Sequence, residues 1–492
     1  MLEQLIKIDK GATENLKDQI KQSISVAILD ELIVLDKPIP SSRKLSTALK
    51  VSRQTVMFAF EELVDDGYLI SKERKGYFVN PSILSGRAMK PSKPKLRNDE
   101  TSSPQWQQRF TKEPSKQINI LKPSDWQKFP YPFTSGQIDP KTFPIAEWRE
   151  CSKQALNVLA VNDWTSDTLD ADDPQLIEQI QQRILPRRGV WAKPEEILIT
   201  VGTQNSLYIL SNLLAGNGRK IAMENPGYTD ARNIFDIHFD HVIPQPVDKG
   251  GIVVNSQLGD VDYVYVTPSH QWPTSVTMPI DRREKLLAKA EQEDFIIIED
   301  DYEIETNYIE EPVAALKSLD DNGRVIYMSS LSKFLAPGLR MGFMVGPKAL
   351  IDEARALRRL MMRHPPLNTQ RMTALFLSRG HYESLINRLW HIYKSKWHIL
   401  TEAIERYIPS NEKLPINGGT SCWVRGPNNL DCRILQKLAK EHGILIELGD
   451  IAFSQQIKPK NYFRIGLTVI PEHKIVPGIK LLGQLIQDIT LR

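Results

Sequence analysis

Between Glu14 and Asp30 the apolar residues Leu16, Ile20, Ile24, Ala27 and Ile28 recur at helical spacing among polar ones. That period predicts an amphipathic helix. In "PIPSSRKLSTAL" the residues Pro40, Ser41 and Ser42 open and cap a second helix, with Leu45, Ala48 and Leu49 turned inward. "VSRQTVMFAFEELVDDG" starts a third, with Ser52 as its N-cap, Val56, Phe60, Leu63 and Val64 as its buried stripe and Gly67 as its stop. "YLISKERKGYFV" reads as two short strands around a charged tip. Helix, helix–turn–helix, then hairpin is a winged arrangement of the α+β kind.

From about Tyr131 the pattern changes. Apolar runs alternate with helical stretches: "EILITV" (196–201), "KIAM" (220–223), "VDYVYV" (261–266), "FIIIE" (295–299) and "RVIYM" (324–328). Buried strands separated by helices predict an α/β domain with a mostly parallel central sheet. Between the two patterned regions, 81–130 is rich in Pro, Ser, Lys and Gln and has little periodicity, so it reads as a tether, with docking beginning at 126–133. The chain is thus multidomain: 1–80 winged helix, 81–130 linker, 131–492 α/β domain.

Composition supports a water-exposed globular chain of more than one core: 492 residues, 41% hydrophobic and 25% charged. No apolar run reaches membrane-spanning length, and the first residues show no apolar signal core, so a cytoplasmic location is expected. Three cysteines, Cys151, Cys422 and Cys432, offer neither a zinc spacing nor a disulfide framework, and no metal is expected.

The net charge of +3 says little, but its distribution says more. Residues 37–60 hold five basic residues and no acidic one. On a winged helix that block reads as an electrostatic footprint for double-stranded DNA. Arg53, Gln54 and Thr55 open the third helix, where a recognition helix meets base edges. Ser42, Arg43 and Lys44 start the second, where they can hold phosphates, and Arg74 and Lys75 sit at the wing tip. The acidic cluster Glu61, Glu62, Asp65 and Asp66 falls at the far end of the third helix. The linker is also basic, net +6, which suits either phosphate contact or a passive solvated spacer.

In parallel sheets ligands sit beyond the carboxyl ends of the strands. The residues there are, in order, Gly202 and Thr203 at a tight turn into a helix, Tyr228, the stretch "TPSHQWPTS", Asp300 and Tyr302, and then Ser330, Lys333 and Arg340. A phosphate cradle, an aromatic plate, a carboxylate, a phenol and a lysine converge on pyridoxal 5′-phosphate. Lys333 would form its Schiff base and Asp300 would keep the pyridine nitrogen protonated. Tyr302 would hydrogen-bond the ring oxygen and Tyr228 would stack on the ring. Ser330 and Arg340 would hold the phosphate with the Gly202–Thr203 turn. His270 either lines the cofactor site or makes structural hydrogen bonds.

The first eighty residues resemble the GntR-type winged helix, and the large domain resembles a fold-type I aminotransferase. Together they resemble the MocR (GabR-like) branch of GntR-type regulators, on "TPSHQWPTSVTMP", "IIEDDYEIE", "SSLSKFLAPGLRMGFMVGP" and "FRIGL". The resemblance implies Arg464 of "FRIGL" as the partner of an amino-acid carboxylate, and a head-to-tail homodimer. Ser275 stands where the branch usually has glycine, Val201 replaces a serine, Glu303 and Ile304 replace a small polar pair, and 165–176 lacks the usual glycines. The expected function is a transcriptional regulator that senses a small amine or amino acid by Schiff-base exchange at Lys333. The alternatives are a sensor of the cofactor itself and a working aminotransferase with an appended DNA-binding domain.

Overall fold

The computed structural model of the chain describes residues 2–85, 104–166, 168–303, 305–307, 313–333, 335–409, 418–454 and 458–491. The middle of the expected tether, 86–103, and Ile304 lie outside them. The described residues form two compact units, Met1–Arg109 and Phe110–Arg492.

In the first unit α1 (Leu16–Leu29), α2 (Ser42–Leu49) and α3 (Arg53–Asp65) are followed by β1 (Leu69–Lys72) and β2 (Gly76–Val79), paired antiparallel. Each helix start is capped by a side chain: Asn15 accepts from the Asp18 amide, Ser41 from Lys44 and Ser52 from Thr55. Such caps satisfy amides that the helix itself leaves open. The core is the expected stripe, with Ile20, Ile24, Ile28, Leu45, Val56, Phe60 and Leu63 fully buried. One position differs. Ala48 is exposed and Ser46 takes the inward place, its hydroxyl donating to the Arg43 carbonyl at 3.0 Å. That internal bond is what lets a serine replace an alanine on a buried face. At the far end of α3, Glu62 and Asp66 both pair with Lys21, at 3.0 and 2.8 Å. Two of the four acidic residues are thus paired with α1.

The second unit is built on an eight-stranded sheet. Its strands are β3 (Ile197–Thr200), β4 (Lys220–Asn225), β5 (His241–Asp248), β6 (Gly251–Ile252), β7 (Tyr263–Val266), β8 (Ile296–Asp301), β9 (Val325–Ser330) and β10 (Gly342–Val345). The order across the sheet is β3-β10-β9-β8-β7-β4-β5-β6. Every pair from β9 across to β5 is parallel, while β10 runs against β9 and β3. Strands β4, β7, β8 and β9 are buried along nearly their whole length, as strands covered on both faces require, whereas β5, towards the edge of the sheet, is half exposed. The helix α4 (Thr203–Leu214) leaves β3 at the edge where β4, β7, β8 and β9 also end. A smaller antiparallel sheet follows, β11 (Ser421–Arg425), β12 (Glu447–Leu448) and β13 (Tyr462–Gly466), in the order β11-β13-β12. The long helix His381–Tyr407 buries Tyr393 and Trp397 in the core, as their spacing predicts.

Docking of the expected tether begins earlier than residue 126. Gln117 donates to the Asn233 carbonyl at 2.7 Å, and Asn233 donates back to the Ile118 carbonyl at 2.9 Å. Side-chain amides that donate to main-chain carbonyls in both directions tie to the sheet domain a stretch whose own composition cannot order it.

Candidate functional site

Strand alternation decides what the two adjacent aspartates at the end of β8 do. Asp301 is fully buried and accepts from Arg188 Nε at 2.7 Å and Tyr327 OH at 3.0 Å. Asp300 points the other way. Its Oδ2 accepts from the Tyr265 hydroxyl at 2.9 Å, while its Oδ1 is buried with no partner among the described residues. Burial raises the Asp300 carboxyl to about 7, with the Tyr265 hydrogen bond opposing the shift. A carboxylate in that position calls for a cationic donor in the space it faces.

That space is a cavity of about 280 Å³. Asp300, Tyr302, Lys333 and Arg464 line it, and so do Gly202, Thr203, Tyr228, Ser330 and Arg340. Nine residues named from sequence thus meet on one wall-to-wall surface. Lys333 Nζ lies 3.5 Å from Glu303 Oε1 and 5.1 Å from the centre of the Tyr302 ring. Gly202 has φ +90°, and a Cβ there would stand 3.0 Å from the Arg340 guanidinium, which donates to the Val201 carbonyl at 3.1 Å. Glycine is what lets Arg340 lie on the turn, beside the open amides that begin α4.

Two expectations take a different form. His270 does not line the cavity; it is 3% exposed and its Nε2 is 3.1 Å from Thr306 Oγ1, so it holds structure behind the site. Burial lowers its pKa, favouring the neutral ring. The Tyr302 hydroxyl donates to the His270 carbonyl at 2.9 Å. Its proton is engaged there.

Other participants carried no motif of their own. Tyr265 holds Asp300, and Glu303 faces Lys333. Tyr228 donates to Asp230 Oδ2 at 3.2 Å and packs edge-on against Trp272 at 5.5 Å. Ile120, Lys122 and Glu447 also line the cavity. Tyr265 could have been found as the outward partner on the strand beside β8; the others come together only through the fold. Ser275, which replaces the usual glycine, has φ +61°, and its hydroxyl donates to the Ser421 carbonyl at 3.1 Å. That bond offsets the strain of a left-handed serine.

In the first unit Arg43, Lys44, Arg53, Gln54, Arg74 and Lys75 are all exposed. Ser42 and Thr55 are half-buried; Ser42 Oγ accepts from Arg53 Nε at 3.4 Å, and the Thr55 hydroxyl is 2.7 Å from Ser52 Oγ. Lys44 pairs with Glu3 at 3.2 Å. The exposed cations occupy the starts of α2 and α3 and the wing tip, which is the placement a major-groove reader needs.

Residues 16–79 match the family of bacterial regulatory proteins, gntR family, and 132–474 match aminotransferase class I and II. The HTH-type transcriptional regulator TauR of Rhodobacter capsulatus is 36% identical over 95% of this chain and 96% of its own. The probable rhizopine catabolism regulatory protein MocR of Rhizobium meliloti is 27% identical over 89% of this chain and 87% of its own. Among solved structures, the kynurenine aminotransferase of Pyrococcus horikoshii, in complex with PMP, superposes with a TM-score of 0.70 at 27% identity, covering 77% of this chain and 98% of that one.

Class I and II aminotransferases depend on pyridoxal 5′-phosphate. The residues here fit that group: an orphaned buried carboxylate oxygen for the ring nitrogen, a lysine for the aldehyde, and a glycine–arginine turn at a helix start for the phosphate. The chain belongs to the MocR/GabR-like transcriptional regulators, in which a gntR-type DNA-binding winged helix is joined to an aminotransferase class I and II domain.

Proposed function

We propose that this regulator senses a small primary amine or amino acid in the cavity of its second unit and changes its hold on promoter DNA in response. One observation carries the reading. Lys333, Asp300 and Arg464 open onto a single cavity, and both Asp300 Oδ1 and Arg464 Nε are buried there without partners among the described residues. When bound, pyridoxal phosphate supplies an aldehyde that condenses reversibly with primary amines, Lys333 among them.

The chain's own groups then have these roles. Asp300 holds a proton on the ring nitrogen. Gly202, Thr203, Ser330 and Arg340 hold the phosphate, and Tyr228 and Tyr302 wall the ring. Arg464 meets the acidic group of an amino-acid effector. Were an effector amine, arriving as its ammonium, to take the place of Lys333 and give up its proton, the released Nζ would be an ammonium with Glu303 3.5 Å away to hold it. Glu303 is buried, which by itself would raise its pKa, yet Lys333, His270 and Thr420 hold it below the usual carboxylate range. Breaking and making that ion pair gives occupied and unoccupied cavities different local structure, the differential interaction that any ligand-driven switch needs.

The functional division follows the sequence boundaries: 1–80 reads DNA through Ser42, Arg43, Lys44, Arg53, Gln54, Thr55, Arg74 and Lys75, 81–130 connects, and 131–492 senses. The working form is a head-to-tail homodimer in the cytoplasm. Leu156, Val158 and Leu159 are 60%, 81% and 81% exposed, apolar surface of the kind a second copy covers. The test is fluorescence anisotropy of the holo-protein on DNA from upstream of its own gene, with amines and amino acids added in turn. The reading expects some of them to change DNA affinity about fivefold or more. Sustained transamination of an amino acid and a 2-oxo acid, with no specific DNA binding, would overturn it in favour of an enzyme.

A further inference from the structure

The cavity holds a second cation on the side of Arg464, and it comes from outside the aminotransferase match, which begins at residue 132. Lys122 belongs to the basic segment that precedes the sheet domain. That segment is pinned from Gln117 to Asn119 by hydrogen bonds with Asn233, and Ile120 packs beside Tyr228 and Trp272. The pinning delivers the Lys122 side chain, only 28% exposed, into the cavity. Its Nζ donates to the Ser135 carbonyl and rests on Gly136, where a Cβ would approach to 2.8 Å. A lysine drawn partly out of water is best held by an anion.

The anion available is Glu447, and it does not suffice. Its Oε1 is 3.8 Å from Lys122 Nζ and its Oε2 is 3.7 Å from Arg464 Nη1, both beyond hydrogen-bond reach. Its oxygens are already engaged by Ser135, through the amide at 2.9 Å and the hydroxyl. Two cations therefore flank one carboxylate that is tied to a third residue. Arg464 keeps a buried, unpartnered Nε, with its guanidinium 5.4 Å from the Trp272 ring centre. Burial, the first cause, and the nearby Lys333 and Arg464 lower the Lys122 pKa, while Glu447 and, more weakly, Asp230 oppose. An acidic ligand group would reverse that balance.

We propose that Lys122, supplied by the segment that precedes the aminotransferase match, is a second and specificity-determining contact beside Arg464 for the anionic group of the effector. This rests on the amine-sensing reading above and adds a contact residue to it. It also gives the effector a contact on the segment that continues toward the DNA-binding unit in sequence. Lys122 is a specificity residue here; the amine end of the ligand is handled by Lys333.

The test uses the holo-protein and the absorption of its bound cofactor. Short ω-amino acids such as β-alanine are titrated against alkylamines of the same carbon length, on the native chain, Lys122→Gln and Lys122→Arg. The native chain is expected to bind the acidic amines more tightly. Lys122→Gln should weaken them about tenfold while leaving alkylamine affinity unchanged, as loss of one charge-assisted contact predicts, and Lys122→Arg should restore most of the difference. Equal affinity of Lys122→Gln and the native chain for acidic amines would overturn the assignment, as would an equal loss for both series. A native chain that answers no amine at all would overturn the amine-sensing reading as well, so the two failures are distinguishable.

Discussion

The two units place their charges in opposite ways. In the winged helix the cations at the starts of α2 and α3 stand in solvent, and Glu62 and Asp66 at the far end of α3 are paired with Lys17 and Lys21. In the sheet domain the ionisable groups are drawn in around a cavity, Asp300, Glu303, Glu447 and Arg464 buried and Lys333 half-buried. The contrast teaches what each surface can recognise. Exposed cations hold a long polyanion by displacing counterions, which makes affinity depend steeply on salt and tolerate the loss of any one group. Buried groups recognise one small molecule, because removing a partner there leaves a desolvated charge unanswered.

The largest break in that comparison is Lys333→Ala. Covalent cofactor is expected to vanish entirely from its absorption spectrum, while DNA binding by the winged helix persists; a spectrum like the native one would remove Lys333 from the account. Next come the two neighbouring aspartates. Asp301→Asn leaves the buried Arg188 without its ion pair, 2.7 Å in the native chain, and should cost about 3–5 kcal/mol of stability by denaturant unfolding. Asp300→Asn should instead spare stability and weaken cofactor binding by about 1.5–3 kcal/mol in an equilibrium titration. The pH dependence separates them further. Burial raises Asp300 from 3.8 to about 7, so the folded, cofactor-free chain binds more protons than the unfolded one between those values. Its stability should fall as pH rises through that window, and Asp300→Asn should flatten the fall in thermal unfolding. Smallest is the DNA face. Arg53→Ala should cost about 1–3 kcal/mol on operator DNA and relax specificity, whereas Arg74→Ala should weaken specific and random DNA alike and lower the salt slope by about one.

The winged helix was almost fully legible because its period and its caps are local. Only the choice between Ala48 and Ser46 escaped, since a buried serine depends on a hydrogen bond that spacing does not reveal. The large sheet was legible as alternating runs, but β5 and β10 were not distinguished. His241–Asp248 is half exposed and carries two prolines, and Gly342–Val345 follows the lysine stretch without a helix between. In the site, strand ends announced Asp300, Lys333 and Arg340. Strand alternation explains why Asp300 and not its neighbour Asp301 faces the cavity. Glu303, Lys122 and Glu447 were illegible as a group because their partners lie far along the chain: Glu303 meets Thr420, and Glu447 meets Ser135. The tether was misread in one respect, since composition cannot show that Gln117 and Ile118 find partners on another element.

The most direct test of the central claim is borohydride reduction of the holo-protein followed by peptide mass analysis, without and with excess β-alanine. The account predicts a phosphopyridoxyl label on Lys333 in the first sample and its loss from Lys333 in the second. An unlabelled Lys333 in the amine-free sample, or a label on some other lysine, would contradict it.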